Sequence, residues 1–258
     1  MILTQRNYFS KRASLEYMSV SQFKAFSKCP EMALAEIKGR YEREKTTALL
    51  VGSYVDSYFE GTLPQFKHDN PEIFKRDGSL KNEFLQAEAI IDRIHRDRLF
   101  NKFLSGRKQV IMTGEIEGVK VKIKVDSLHK DKIVDLKVVK DFGNLYDKER
   151  GSLPWFSFWN YEIQGAVYQE IVRQNTGEKL PFYLAAATKE KVTDIDIVEI
   201  EQSDLNYALD LFKQDVEYFD AIKTGAVEPV RCGRCDYCKS TKVLKEPTKS
   251  SDFTLELI

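Results

Sequence analysis

Residues 109–140, QVIMTGEIEGVKVKIKVDSLHKDKIVDLKVVK, decide the fold. Upstream of them apolar residues recur at helical spacings, and from Gln109 the period drops to two. Val119, Val121, Ile123 and Val125 alternate with Lys120, Lys122, Lys124 and Asp126, the pattern of a strand with one apolar face. This run and the preceding VIMTGEIEG form a hairpin that turns near Glu117-Gly118. KIVDLKVV supplies a third strand after a turn at His129 to Asp131. On it Asp135 and Lys137 point to one face, while Val134, Leu136 and Val138 point to the opposite, buried one. A short antiparallel turn brings Asp126, at the close of the second strand, beside Asp135.

Working outward, Ser19 or Ser21 caps a helix that runs through Phe26 and ends near Cys29-Pro30, and EMALAEIK follows as a second helical stretch. Thr46 and Thr47 precede TALLVGSYVDSYFEG, a mostly buried helix stopped by Gly61. Residues 62–80 read as a loop, and NEFLQAEAIIDRIHRDRLFNKFL reads as one amphipathic helix. Beyond the three strands, residues 142–154 read as loop. WFSFWNYEIQGAVYQEIVRQ reads as one long helix ending before Gly177. PFYLAAATKE and DIDIVEIE are two more strands, and SDLNYALDLFKQDVEYFDAIKTG is a helix with a Ser203 cap and a Gly225 stop. Strands flanked by helices on both sides in sequence predict an α/β (α+β) fold with a mixed central β-sheet. The expected organisation is an irregular arm over residues 1–18, one domain over 19–244 and a tail over 245–258. Within that domain the core spans about 45–225 and a cysteine-rich turn spans 231–239.

With 258 residues and 42% hydrophobic content, the chain has enough apolar material for a sizeable core, which excludes a disordered protein. Lys plus Arg and Asp plus Glu number 40 each, so any anion-binding surface has to be local. The segment from Arg107 to Lys140 carries nine basic residues against five acidic ones. The first twenty residues hold no apolar run fit for a signal peptide. No later stretch approaches the roughly 18 residues of a membrane span, so a cytoplasmic protein without membrane contact is expected. Four cysteines in such a compartment argue against a disulfide framework.

Two converging carboxylates, Asp126 and Asp135, with a backbone carbonyl beside them make a hard oxygen site suited to Mg²⁺, and a nearby Lys137 can orient an attacking water. That is the chemistry of phosphodiester hydrolysis. The plainer alternative is a solvated ladder of alternating charges on an amphipathic hairpin. Glu115 is read as a solvent-facing strand residue.

Asp126, then Asp135-Leu136-Lys137, then Gln164 with Tyr168 four residues on, resembles the PD-(D/E)xK nuclease superfamily, and within it the RecB-like branch with its Gln-x-x-x-Tyr helix. SVSQFKAFSKCP matches that branch's upstream helix ending in Cys-Pro. Gly52 to Asp56 matches its Gly-x-x-x-His helix, with aspartate in place of histidine. The resemblance implies a restriction-endonuclease-like core. Asp56, Asp126, Asp135 and the Leu136 carbonyl would be ligands for Mg²⁺, with Mn²⁺ as a substitute. Lys137 would position water, and Gln164 and Tyr168 would organise the site. On residues alone the last two are equally a partly buried polar pair on one helix face. Within the superfamily the chain looks most like RecE-type phage exonucleases. That implies digestion of linear double-stranded DNA from 5′ ends in a bacterium or phage-infected host, a single-strand annealing partner for the 3′ overhang, and a ring-forming homo-oligomer. The alternatives are a single-strand exonuclease with a cysteine-bound cluster, or a catalytically silent DNA-binding module.

RCGRCDYCK sets Cys232, Cys235 and Cys238 at three-residue intervals, and Cys29 stands about 200 residues earlier. Four thiolates suffice for a tetrahedral Zn²⁺ or an iron–sulfur cluster. Otherwise they are reduced thiols on a basic turn, where Arg231, Arg234, Lys239 and Lys242 are free to touch a DNA backbone. Some RecB-like nucleases resemble this layout and imply a [4Fe–4S] staple, although their last cysteine spacing is usually longer. Trp155, Phe156, Phe158 and Trp159 are candidates to stack on bases, with core packing expected for at least two. LKEPTKSSDFTLELI, residues 244–258, reads either as a docking strand for a partner or as a segment packed on its own domain.

Overall fold

A computed structural model of the chain describes residues 1–244, 246, 247, 249 and 250. The tail beyond residue 250 lies outside the described residues. Residues 1–18 are not an irregular arm. They hold helix α1 (Lys11–Glu16), capped by Ser10, and then Met18 bridges in parallel to Val121. Next come α2 (Val20–Lys28) and α3 (Pro30–Ile37). Ser19 caps α2 through a full capping box with Gln22, which satisfies backbone donors at both ends of the box. Helix α4 (Thr47–Glu60) starts on the Thr46 side chain and stops at Gly61, whose φ of 78° suits only a residue without Cβ strain.

The expected loop 62–80 contains a short helix, α5 (Leu63–Asp69), and a single 3₁₀ turn at Pro71–Ile73. Proline at the first turns starts both, which a count of loop-forming residues overlooks. The long amphipathic run after it is two helices, α6 (Asn82–His95) and α7 (Arg98–Leu104). Asp97 accepts from the Phe100 N–H and so begins a new helix inside an apolar period that continues across the break. Strands β1 (Arg107–Ile116), β2 (Val119–Leu128) and β3 (Ile133–Val139) follow as expected, with Glu117 and Gly118 at positive φ in the hairpin turn.

Residues 142–154 are not all loop, since β4 (Leu145–Asp147) pairs with β5 (Gly151–Leu153). The helix expected from Trp155 is also two, α8 (Trp155–Phe158) and α9 (Tyr161–Thr176), separated by Asn160 at φ 51°. Strands β6 (Phe182–Thr188) and β7 (Ile195–Glu199) precede α10 (Gln202–Thr224). That helix has Glu201, not Ser203, at its N-cap and Gly225 at its end. A further helix, α11 (Asp236–Ser240), sits in the cysteine-rich segment.

The five long strands form one mixed sheet in the order β1-β2-β3-β6-β7, antiparallel except where β3 runs parallel to β6. Helices cover both faces. Phe182, Leu184 and Ala186 of β6 join a core with α2, α9 and α10. Ala185 and Ala187 join a second core with Val134, Leu136, α4, α6 and α7. Both faces of the central strands are therefore dry, as a sheet buried between helices requires.

The sheet is split in its middle. β2 and β3 keep only two register pairs, Ser127 with Val134 and Leu128 with Ile133, and then part. Met18 fills part of the opened edge of β2: its N–H donates to the Lys120 carbonyl at 2.7 Å and its carbonyl accepts from the Lys122 N–H at 2.9 Å. Lys122 also departs from the solvated ladder. It is buried at 3% exposure, with Nζ donating to the Tyr8 carbonyl at 2.6 Å. The N-terminal residues cover the charged side of the hairpin. Among the described residues no helix is long and apolar enough to cross a membrane.

Candidate active site

The split between β2 and β3 is where the chemistry collects. Asp126 does not close its strand, which runs on to Leu128, but sits where β2 and β3 part, and its Oδ2 accepts the Leu136 N–H at 3.0 Å, replacing the ladder bond that the lost pairing would have made. A residue in a strand turns its N–H and C=O toward the same edge, so the Leu136 carbonyl faces this opening as well. Asp126 Oδ1 accepts from Gln109 Nε2 at 3.2 Å. Asp135 is 2% exposed; it forms an ion pair with Lys137, and its Oδ1 accepts from Gln164 Nε2 at 2.7 Å.

Gln164 reaches Asp135 because α9 lies close on the sheet. A Cβ on neighbouring Gly165 would stand 2.5 Å from Phe182 Cδ1, so glycine there permits the approach. One turn along, the Tyr168 hydroxyl donates to the Lys124 carbonyl at 3.1 Å and ties the same helix to β2. Asp56 enters from α4. Its Oδ1 is buried and accepts no hydrogen bond, an arrangement that is costly for an anion unless a cation completes it.

Asp56, Asp126, Asp135, Leu136, Lys137, Gln164 and Tyr168 all line one open cleft of about 280 Å³. The residues expected from sequence to hold the divalent ion and organise the site thus line a single cleft. Glu115 stands apart, exposed on β1 with its backbone held by Gln174. Of the four aromatics before α9, Trp155 is buried and Phe156 packs on the core, whereas Trp159 is 46% exposed.

The electrostatics are those of crowded like charges in a poorly hydrated pocket. Burial, with Asp135 adding to it and Lys137 opposing, pushes the Asp56 carboxyl up to about 7. Burial and the Asp135 charge hold Asp126 well above the usual carboxylate range. Burial alone would lower the Lys137 ammonium, but Asp135, Tyr161 and Asp126 hold it above the ordinary lysine range. Three carboxylates in one hollow are the donor set of a divalent cation binding oxygen ligands, and the unpartnered Asp56 oxygen fits that role.

Several cleft residues carry no signal in the sequence. Lys24 of α2 donates to the Trp159 carbonyl at 2.9 Å and lies 4.9 Å from the Tyr161 ring centre. Burial and the Lys137 charge bring it down to about 7. Tyr8, Phe9 and Lys122 also line the cleft. The spacing of Lys24 after Ser21 carried no signal of its own, because α2 meets the cleft only through tertiary packing.

The four cysteines form a second centre. Cys29 is buried at the α2–α3 corner with its Sγ 3.5 Å from Cys238 Sγ, Cys232 Sγ lies 3.9 Å from Cys238 Sγ, and all four sulfurs fall within 4.8 Å of one another. Arg231 is not free for DNA on its inner side: its Nη2 donates to the Cys238 carbonyl at 2.9 Å and to Thr241 Oγ1 at 2.6 Å.

This fold, a mixed five-stranded sheet between helices with acidic residues at its split, is restriction-endonuclease-like. Residues 19–241 match a family described as a PDDEXK-like domain of unknown function, DUF3799, and the chain belongs to that family. It is also similar to a crystal structure from Eubacterium rectale of a protein described provisionally as an exonuclease. The two are 51% identical over 100% of both chains, with a TM-score of 0.96. A second solved structure, that of SSO0001, is 13% identical over 80% of this chain and 89% of its own at a TM-score of 0.29, too low to carry an argument. No curated protein matches.

Proposed function

We propose that this protein is a metal-dependent exodeoxyribonuclease that digests linear double-stranded DNA from 5′ ends and leaves 3′ overhangs. The observation that carries the reading is the convergence of Asp56, Asp126 and Asp135 on one cleft with Lys137 paired to Asp135. Membership of a PDDEXK-like family and similarity to the Eubacterium rectale protein support a nuclease. The RecE-type direction of digestion rests on the motif resemblance.

Asp56, Asp126, Asp135 and the Leu136 carbonyl would hold the ion, and their hard oxygens favour Mg²⁺, with Mn²⁺ as a substitute. When bound, the ion supplies Lewis-acid stabilisation of charge developing on the phosphate. Lys137, fixed against Asp135, orients the attacking water and places a positive charge beside the reacting phosphate. Gln164 holds Asp135 Oδ1 while Lys137 pairs with Oδ2, and so fixes the orientation of the carboxylate. Tyr168 keeps α9 in register with β2 through the Lys124 carbonyl. Lys24 and Lys124, also on the cleft wall, offer contacts to backbone phosphates.

With zero net charge the chain has little long-range attraction for DNA, which supports retention on the duplex by a ring of several copies. A single-strand annealing protein would take the overhang. The test is digestion of linear duplex labelled at the 5′ or the 3′ end, beside closed circular duplex and single strands, with Mg²⁺. Early release of the 5′ label with circles untouched supports the reading. Preference for single strands would move the assignment to the single-strand exonuclease.

A further inference from the structure

We infer that Cys29, Cys232, Cys235 and Cys238 bind one Zn²⁺ ion, and that they do not fit the [4Fe–4S] cluster implied by resemblance to RecB-like nucleases. The inference is independent of the nuclease reading, because it rests on the spacing of the sulfurs. In a tetrahedral zinc–thiolate site the metal–sulfur bond is about 2.3 Å, so any two sulfurs are about 3.8 Å apart. In a cubane each thiolate binds a different iron and points outward from its corner, which separates the cysteine sulfurs by roughly 6 Å. Here Cys29 and Cys238 are 3.5 Å apart, Cys232 and Cys238 are 3.9 Å apart, and no pair exceeds 4.8 Å. That hollow admits one ion. It has no room for four irons and four sulfides without moving α11 away from the α2–α3 corner.

The backbone agrees with a small site. The Cys235 N–H donates to Cys232 Sγ at 3.3 Å, and the Cys238 N–H donates to Cys235 Sγ at 3.4 Å. Each Cys-x-x-Cys step thus folds its own amide onto the preceding sulfur, which stabilises thiolate charge and leaves the sulfur lone pairs directed inward. Gly233, at φ 73°, provides the left-handed turn in the first step. Net charge does not separate the two metals, since one Zn²⁺ with four thiolates and an oxidised cubane with four thiolates are both dianionic. The discrimination is geometric.

The site also strengthens a fold feature held otherwise by a small core, the Arg231 bonds and a Tyr237–Glu31 hydrogen bond. Helix α11 has five residues, too short to persist alone, and among the described residues its satellite core holds Cys29, Met32, Ala35, Tyr237 and Cys238 with a few half-buried neighbours. An ion bound by Cys29 and the C-terminal turn closes a loop of 209 residues and fastens that turn to the end of α2. Because α2 carries Lys24 into the cleft, the zinc acts as a clip that positions this helix.

The experiment is elemental and spectroscopic. The full chain is expressed with iron, sulfide source and zinc all supplied, purified without oxygen, and washed in excess Mg²⁺ to displace ions from the carboxylates. The expected result is one zinc per chain, no iron, and a colourless protein. After exchange with Co²⁺ it should show the intense visible bands of tetrahedral cobalt–thiolate. Cys29→Ser and, should that variant fail to fold, the half-exposed Cys235→Ser should lose the zinc and melt several degrees lower. Four irons with matching sulfide and a brown charge-transfer band would overturn the inference. So would less than a tenth of an equivalent of any metal, or full zinc retention in both serine variants.

Discussion

Asp56→Asn should make the metal-free protein more stable while destroying its activity. The Asp56 carboxyl is raised from 3.8 to about 7, first by burial and then by Asp135, against the pull of Lys137. A carboxyl raised in the folded state binds its proton more tightly there than in the unfolded chain. Below pH 3.8 it contributes no penalty, stability falls as pH rises from there through about 7, and above that the penalty is complete. The shift of roughly three pH units at about 1.4 kcal/mol each sets an upper bound of about 4 kcal/mol. Relaxation and the burial cost of the new amide leave about 2 kcal/mol. Since about 2–4 °C accompanies each kcal/mol in a chain of this size, the variant should melt about 4–8 °C above wild type at pH 8 in chelator. The two should converge near pH 4. Saturating Mg²⁺ should reverse the order, because an ion bound only by the folded state stabilises by about 2.7 kcal/mol at a hundredfold excess over its dissociation constant. The assay is thermal melting monitored by circular dichroism at both pH values, with and without Mg²⁺. A variant that melts at or below wild type at pH 8 in chelator would show that burial and the Asp135 charge do not penalise the Asp56 carboxylate as described.

Gly165→Ala should cost about 1–3 kcal/mol, read by urea unfolding, because its Cβ would meet Phe182 Cδ1 at 2.5 Å and Leu205 Cδ2 at 2.8 Å. The residual folded protein should cleave more slowly as Gln164 is pushed from Asp135; an unchanged rate would remove Gln164 from the site. Lys137→Ala should lower cleavage by well over tenfold, or more than about 1.4 kcal/mol in barrier, with a folded spectrum retained but a lower melting temperature, because Asp135 loses its partner. Lys122, brought down to about 8 chiefly by burial and also by Lys223, binds its proton less tightly when folded. Wild-type stability should therefore rise between pH 8 and 10, and Lys122→Met should flatten that rise in paired urea titrations.

The sheet was legible because its strands announce themselves in two ways. The alternation of Val119 to Asp126 is open to view, and the Asp135-Leu136-Lys137 triplet follows the pleat of a strand whose two faces differ. The breaks were not legible. Asp97 and Asn160 each interrupt an apolar period that continues on the other side, so counting spacings runs straight through them. Residues 1–18 show why a segment without a regular apolar period is not always loose: two buried lysines, Lys122 and Lys223, donate to the Tyr8 and Tyr17 carbonyls and hold it down. At the site, the residues on adjacent strands could be placed from a two-residue period. Lys24, Tyr8 and Phe9 could not, because they arrive from elements whose approach depends on the packing of α2 and the opened edge of β2.

The central claim is that the carboxylates in the split of the sheet perform metal-dependent cleavage. Its most direct measurement is the release of acid-soluble nucleotides from linear duplex DNA by wild type and by Asp135→Asn, each titrated with Mg²⁺ after confirmation of matching folded spectra. The account predicts Mg²⁺-dependent release by wild type and a loss of at least a hundredfold, about 2.7 kcal/mol, in the variant. Release that persists in chelator, or survives in Asp135→Asn within tenfold of wild type, would contradict it.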